Sequence, residues 1–191
     1  MEETKIKYFL ISVLLVVILL SPLSLFGIED EYYRKAALFS VFSQYIQWPE
    51  NSNLKDRSKP FVIGVIGKNP FGSILDKAYS QLEYKIKDKN VEIRFIAKIA
   101  DEDIERCNIL FLSKALEMEL EKILAVTRRK PILTIAETKG FTEKGVLFNL
   151  YVSQRKFRFE INALALRESR LIVDSQLLSE ARIIDAPGYL K

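Results

Sequence analysis

The chain has 191 residues, of which 49% are hydrophobic, and a formal net charge of +4. An apolar fraction of this size excludes an intrinsically disordered chain and suits one domain with a packed core. The sequence contains no His and a single Cys, Cys107. This composition excludes His-based catalytic triads, His-ligated metal sites and an intramolecular disulfide.

Residues 1–27 have the pattern of a secretory signal peptide. Two lysines precede an apolar run over residues 8–20, and Pro22 ends that run. A signal-peptide core needs about 7–15 apolar residues, whereas a helix that spans a bilayer needs about 20. We therefore predict export, with residues 28–191 forming one domain outside the cytoplasm. The alternative is an uncleaved N-terminal anchor, because Leu25 stands where a small residue is usual before a cleavage site.

Helical and strand patterns alternate after the export segment. Apolar residues at helical spacing predict a first helix over residues 29–47, which Pro49 ends. A continuous apolar run of strand length follows over residues 61–66, and such runs are typical of parallel strands that are buried on both faces. The pattern predicts strands over residues 61–66, 91–97, 108–112 and 131–135, and further helices over residues 71–81, 100–105, 114–126 and 175–181.

The pattern changes to a β-hairpin towards the C-terminus. Residues 140–145 are rich in turn formers, and two strand patterns follow over residues 146–152 and 156–161. Arg158 and Glu160 alternate with apolar residues, so we expect the second strand to have one solvent-facing side. The predicted fold class is therefore α/β: a Rossmann-like three-layer sandwich, with a mostly parallel sheet and an antiparallel C-terminal hairpin.

No motif in the chain indicates catalysis. The glycines of residues 64–72 follow a predicted strand, as in phosphate-binding turns, but their spacing fits neither the dinucleotide pattern nor the P-loop pattern. A structural turn is the favoured interpretation. The tightest basic cluster, residues 128–130, is interpreted as a charged helix end. We therefore predict that the protein is not an enzyme and that it binds no metal, cofactor or nucleic acid.

An ordered set of short segments over residues 32–184 resembles the YfiR/HmsC family of bacterial periplasmic proteins. The segments are Lys35-Ala-Ala-Leu38, Tyr45-Ile-Gln-Trp48-Pro49, Pro60-Phe-Val-Ile-Gly-Val-Ile-Gly67, Pro70-Phe-Gly72, Cys107-Asn-Ile-Leu-Phe-Leu-Ser113, Ile132-Leu-Thr134, Gly140-Phe141, Phe157-Arg-Phe-Glu-Ile-Asn162 and Ser175-Gln-Leu-Leu178 with Ala181. Three positions depart from the family pattern. Asn108 replaces a common His, Arg170 stands where Gly is usual before the last short strand, and a second Gly near Gly145 is missing. These departures concern local turn geometry, or any role of that His, rather than the fold.

The resemblance implies a regulator. YfiR-like proteins are periplasmic, and they repress a membrane-bound diguanylate cyclase by binding its periplasmic sensory domain. This repression lowers cyclic-di-GMP synthesis and biofilm formation. The resemblance therefore implies a periplasmic location, a membrane-bound diguanylate cyclase or sensor kinase as the partner, and a homodimer.

Two features are candidates for the surface that meets this partner. Trp48 is the most distinctive aromatic residue, although a structural role, in which it closes the end of the first helix against the sheet, is the favoured interpretation. The polar side of the hairpin is the other feature. The candidate interface residues are Trp48, Arg155, Arg158 and Glu160.

A small-molecule binding module is the alternative function. In open α/β sheets, ligands bind in the crevice at the carboxyl ends of the parallel strands. The predicted lining of such a cleft is Gly67, Lys68, Asn69 and Ser113, with Thr134 nearby.

Overall fold

The structure, a computed structural model, describes residues 28–184 apart from residues 51, 57, 82–84, 115 and 155. The predicted export segment and the candidate interface residue Arg155 lie outside the described residues. None of the described helices is both long enough and apolar enough to cross a membrane.

Helices and strands alternate along most of the chain. The helices are α1 (Ile28–Tyr45), α2 (Asp76–Gln81), α3 (Asp101–Glu105), α4 (Leu120–Thr127), α5 (Phe141–Lys144), α6 (Ala163–Ser169) and α7 (Ser175–Glu180). The strands are β1 (Ile46–Gln47), β2 (Phe61–Ile66), β3 (Val91–Ile96), β4 (Ile109–Leu112), β5 (Leu133–Ala136), β6 (Phe148–Ser153), β7 (Lys156–Asn162), β8 (Ile172–Val173) and β9 (Arg182–Ile184). The hydrogen bonding of α2 is π-helical.

The main sheet has seven strands in the order β3-β2-β4-β5-β6-β7-β9. Every neighbouring pair is parallel except β6 and β7, which form the antiparallel hairpin. A connection between parallel strands must cross a face of the sheet, so these connections carry helices onto both faces. The prediction of a mostly parallel sheet with an antiparallel hairpin is confirmed.

The central strands β2, β4 and β5 are buried along their whole length, as their continuous apolar runs predict. One face of the sheet packs on α1, where the rings of Phe39 and Phe42 contact those of Phe111 and Phe148. The opposite face packs on α3, α4 and α5, which contribute a second apolar core. Two helical layers around one sheet confirm the predicted three-layer sandwich.

Some elements depend on contacts that the local pattern does not reveal. The helix predicted over residues 29–47 ends at Tyr45, because the next two residues form β1 and pair with β8 in a separate two-stranded sheet. The helix predicted over residues 114–126 begins only at Leu120. The sequence also does not predict α6 or β9.

The turn-rich segment before the hairpin contains the single-turn helix α5. Gly140 and Gly145 flank it, with φ angles of 87° and 117°. A Cβ atom strains this left-handed backbone, which glycine adopts without strain. The two glycines therefore allow the chain to turn sharply at each end of the helix. A helix of four residues is too short for periodicity to predict.

Candidate functional site

Thr134 does not line a cleft, contrary to the sequence prediction. It is completely buried, and its Oγ1 accepts a hydrogen bond from the backbone N–H of Leu147 at 2.9 Å. Thr134 is the second residue of β5 and therefore lies inside the sheet rather than at its carboxyl edge. Its hydroxyl satisfies a backbone group of the segment that leads into β6.

The other predicted cleft residues belong to the turns after β2 and β4. Gly67 and Ser113 lie side by side, and a Cβ at position 67 would collide with Ser113 Oγ. Asn69 Oδ1 accepts a hydrogen bond from a backbone N–H of the same turn at 2.9 Å, and its Nδ2 donates to a backbone carbonyl there at 3.0 Å. Lys68 is exposed. The side chain of Asn69 therefore stabilises the turn itself.

A different cleft lies at the carboxyl edge of the sheet, beside β5 and β6. Its volume is about 490 Å³, and α1, the loop after β5 and the β6–β7 hairpin contribute to its lining. Ala136, the last residue of β5, pairs with Asn149, the second residue of β6. The hairpin therefore extends beyond β5 and forms part of the wall. This edge is where open α/β sheets bind ligands.

Buried charges line this cleft. Lys35 of α1 forms ion pairs with Glu137, directly after β5, and with Glu31, one helical turn earlier. The side chains of Lys35 and Glu137 are each 3% exposed. A buried charge costs several kcal/mol unless it is paired, so the cluster fixes α1 against the end of β5.

Tyr32 completes the cluster. Its hydroxyl donates a hydrogen bond to Glu137 Oε1 at 3.0 Å, and Lys35 Nζ lies 4.4 Å from the centre of its ring. Burial and the nearby Glu137 carboxylate raise the pKa of Tyr32 well above its usual value. The hydroxyl therefore remains a donor at physiological pH. Sequence reasoning missed Glu137, whose one local signal is its position directly after a predicted strand.

Asn149 places an unsatisfied amide oxygen at the same cleft. The residue is 2% exposed, and its Oδ1 is buried with no hydrogen-bond partner among the described residues. Most buried polar side-chain atoms in proteins have such a partner. The residue lines the cleft, and the oxygen itself is shielded from solvent.

Trp48 and the hairpin lie in separate parts of the molecule. Trp48 is partly buried, and its ring meets the ring of Phe61, at the start of β2, edge to face with 5.6 Å between centroids. The strands β4, β5 and β6 lie between β2 and β7 in the sheet. Among the described candidate interface residues, Trp48 therefore lies apart from Arg158 and Glu160.

The expected solvent-facing side of β7 is not formed at Glu160. This residue is buried: its Oε2 accepts a hydrogen bond from Thr142 Oγ1 at 3.0 Å, and its Oε1 lies 3.1 Å from Arg182 Nη2. The helix α5 packs on this side of the hairpin, and Arg182 belongs to β9, the neighbouring strand in the sheet. The sequence predicts neither element. Arg158, two residues earlier, is half-buried and keeps partial access to solvent.

Cys107 is a structural thiol. It is 2% exposed, and its Sγ donates to the backbone carbonyl of Asp103 at 3.3 Å. Burial raises its pKa to about 12, so the thiol is protonated and unreactive at neutral pH. Within the described part of the chain, no group of three or more His, Cys, Asp or Glu residues is placed to hold a metal ion.

Comparisons with known proteins agree with this architecture. The sequence profile of the YfiR/HmsC-like family matches residues 32–182. No curated protein matches the chain.

Among solved structures, a conserved domain protein from Vibrio cholerae O1 biovar El Tor is similar, with a TM-score of 0.54 and 8% identity over 81% of this chain and 60% of that protein. The ABC domain in complex with L-Trp from Streptococcus pneumonia gives a TM-score of 0.44 at 12% identity, over 65% of this chain and 55% of that one. The Vibrio cholerae likeness shows a shared fold alone, and the chain spans less than two thirds of either protein.

Proposed function

The chain belongs to the YfiR/HmsC-like family, and on this premise we propose that it binds the extracytoplasmic sensory domain of a membrane-bound diguanylate cyclase, or of a related sensor kinase, and holds it inactive. The observation that carries the proposal is the family match over residues 32–182, which runs from α1 to the first residue of β9. At the level of the family, the protein is a periplasmic regulator of diguanylate cyclase signalling. Repression of the partner lowers cyclic-di-GMP synthesis and, with it, biofilm formation.

The chemistry of the chain supports binding rather than turnover. The sequence contains no His, and the thiol of Cys107 is buried and protonated. The buried carboxylate of Glu137 is held by Lys35 and Tyr32, which leaves it poorly suited to act as a general base. The contacts of Glu137 with Lys35 and Tyr32 stabilise the carboxyl edge of the sheet.

Deletion of the gene tests the proposal. We expect cellular cyclic-di-GMP to rise in the deletion strain and to return to its original level when the exported protein is expressed again. The rise should disappear when the partner cyclase is deleted as well, because repression has no target without it. An unchanged cyclic-di-GMP level, together with no binding of the purified protein to the extracytoplasmic domain of a cyclase or kinase encoded nearby, would contradict the proposal.

Asn149 supports a second candidate function, a small-molecule binding module. Its unsatisfied amide oxygen lies at a cleft of about 490 Å³ that also contains buried charges of both signs. These groups suit a polar organic molecule with a hydrogen-bond donor. This ligand site differs from the predicted one in every residue.

A thermal-shift screen of organic acids, amines, amino acids and nucleotides tests this second candidate. A ligand at 100 times its dissociation constant should stabilise the protein by about 2.7 kcal/mol. Asn149→Ala should abolish the shift, whereas Ser113→Ala, in the turn after β4, should leave it unchanged. A screen without any stabilising compound, or a shift that persists in Asn149→Ala, counts against the module.

A further inference from the structure

The strand β3 forms an unprotected edge of the main sheet. It is six residues long and pairs with β2 in unbroken register, from Phe61 with Val91 to Ile66 with Ile96. Proteins usually protect sheet edges with short strands, bulges, Pro or charged side chains, especially Lys. β3 is long and has no bulge, Lys or Pro, its two charged residues have opposite signs, and no described strand pairs with its outer side. The opposite edge is protected, because β9 has three residues and begins with Arg182.

The backbone of β3 is arranged to accept another strand. The carbonyl oxygen of Asn90 accepts a hydrogen bond from the backbone N–H of the first residue of β2 at 2.8 Å, and the carbonyl oxygen of Ile96 accepts one from the residue directly after β2 at 3.4 Å. Both oxygens therefore point inward, towards β2. Adjacent residues of a strand direct their backbone polar groups to opposite sides. Val91, Ile93 and Phe95 therefore direct their N–H and C=O groups outward, to the side on which no described strand lies.

The side chains of β3 form one apolar side and one charged side. Val91 and Ile93 are partly buried against the core beneath α1, and Phe95, on the same side, is 47% exposed. Glu92 and Arg94 lie on the other side, where Arg94 forms ion pairs with Glu92 and with Asp103 of α3. Phe95 therefore exposes apolar surface directly beside the open backbone edge.

We propose that β3 pairs in antiparallel orientation with β3 of a second copy of this chain, about a two-fold axis at Ile93. In this register the two Ile93 side chains face each other, and Val91 of each copy lies opposite Phe95 of the other. Glu92 of each copy lies opposite Arg94 of the other. The two sheets join into one continuous sheet, and the exposed ring of Phe95 becomes covered.

Charge selects this register over its neighbours. An axis at Glu92 places two glutamates opposite each other, and an axis at Arg94 places two arginines opposite each other. Like charges directly opposite destabilise a strand pair, whereas unlike charges stabilise it. Of these three axes, only the axis at Ile93 creates two unlike-charge pairs. It also makes Ile93 a hydrogen-bonded pair, because the backbone groups of this residue point outward.

Sedimentation velocity of the exported protein over a range of concentrations tests the proposal. We expect a reversible dimer, and we expect either Glu92→Arg or Arg94→Glu to weaken it by about tenfold or more, since two like-charge pairs replace two unlike-charge pairs. An equimolar mixture of the two variants should dimerise again, because every cross-strand charge pair in the mixed dimer is unlike. Glu121→Arg on α4 is the matched charge reversal away from the edge and should leave the dimer intact.

Cysteine crosslinking gives a second readout that does not depend on these charges. Ile93→Cys should form a disulfide with itself under mild oxidation, because hydrogen-bonded antiparallel pairs have Cα atoms about 5.5 Å apart. Ile183→Cys, on the opposite edge, is the control and should remain a monomer in the same gel. The proposal is overturned by a protein that stays monomeric at every concentration. It is also overturned by a dimer that Glu92→Arg leaves unchanged, or by one that Ile93→Cys does not crosslink.

Discussion

At the scale of single residues, Lys35 connects the first helix to the end of β5. Its ammonium group lies between the carboxylates of Glu31 and Glu137, and Tyr32 holds Glu137 from a second direction. Removing one partner of a buried ion pair leaves an uncompensated charge, and this loss costs more than the pair itself contributes. The cluster is therefore sensitive to changes that surface ion pairs tolerate.

Lys35→Met tests the energetic role of this cluster. We expect the free energy of unfolding, measured by urea denaturation, to fall by about 3 kcal/mol, because Glu137 stays buried without its cation. Lys55→Met is the matched control. Its partner is Glu50, the two side chains are 63% and 92% exposed, and such pairs contribute at most about 1 kcal/mol. Equal stability losses in the two variants would show that burial does not strengthen the Lys35 pair.

The buried thiol of Cys107 should make the free energy of unfolding depend on pH. Burial raises the pKa of its thiol from 9.0 to about 12, so the folded chain keeps a proton that the unfolded chain loses above pH 9. The stabilising effect is complete below about pH 9 and is lost as the pH rises towards about 12, by at most about 1.4 kcal/mol per pH unit. Stability in Cys107→Ala should fall less steeply over this window. Urea denaturation of both proteins at several pH values measures the difference, and parallel curves would contradict it.

At the scale of secondary-structure elements, the departures from the family pattern have clear local structures. Arg170 stands where the resemblance predicts Gly, and it ends α6 with φ 61° and ψ 13°. This left-handed conformation favours Gly, because a Cβ crowds the backbone there. Asn108, which replaces a common His, accepts a hydrogen bond from the backbone N–H of Val62 at 2.9 Å. Its amide therefore connects β2 to the start of β4.

Arg170→Gly should stabilise the protein. Relief of the left-handed strain at the end of α6 is expected to raise the free energy of unfolding by about 1 kcal/mol. Arg167→Gly, in the last turn of the same helix, provides the opposite case. It should lower stability by about 0.5–1 kcal/mol, since Gly there has right-handed backbone and only adds freedom to the unfolded chain. Thermal denaturation of both variants measures the two shifts, and a loss of stability in Arg170→Gly would refute the strain argument.

At the scale of the whole molecule, one sheet separates two apolar cores, and its two edges differ. The core beneath α1 contains most of the large aromatic rings, whereas the core under α3, α4 and α5 is mainly aliphatic. The sheet ends in the open strand β3 on one side and the short strand β9 on the other. Polar groups gather at the carboxyl edge, where the parallel strands end.

The mature protein is expected to lack residues 1–27. An apolar run of signal-peptide length that Pro22 ends is the reason for this expectation. Mass spectrometry of the protein recovered from the cell envelope measures its N-terminus, and fractionation locates it. A chain that keeps residue 1 and sediments with membranes would support the uncleaved anchor instead, and the regulator would then diffuse in the membrane plane beside its target.

The central strands and the family follow from the sequence alone. Continuous apolar runs over residues 61–66 and 109–112 are local properties, and each predicts a buried strand without knowledge of its neighbours. The order of the family segments along the chain is equally a property of the sequence. The family and the order of the main elements were therefore predictable before any contact was known.

Only the tertiary structure decided which residues meet at the cleft and which strand is the edge. Lys35 and Glu137 are more than a hundred residues apart in the sequence and form an ion pair, whereas Thr134, three residues before Glu137, is buried inside the sheet. Residues 91–96 alternate apolar and charged side chains, which predicts a strand with one polar side, but only the strand order shows that its outer backbone edge is open. The physical reason is that the burial of a charge and the pairing of a backbone group depend on neighbours in space. Periodicity along the chain reports only which face of an element is apolar.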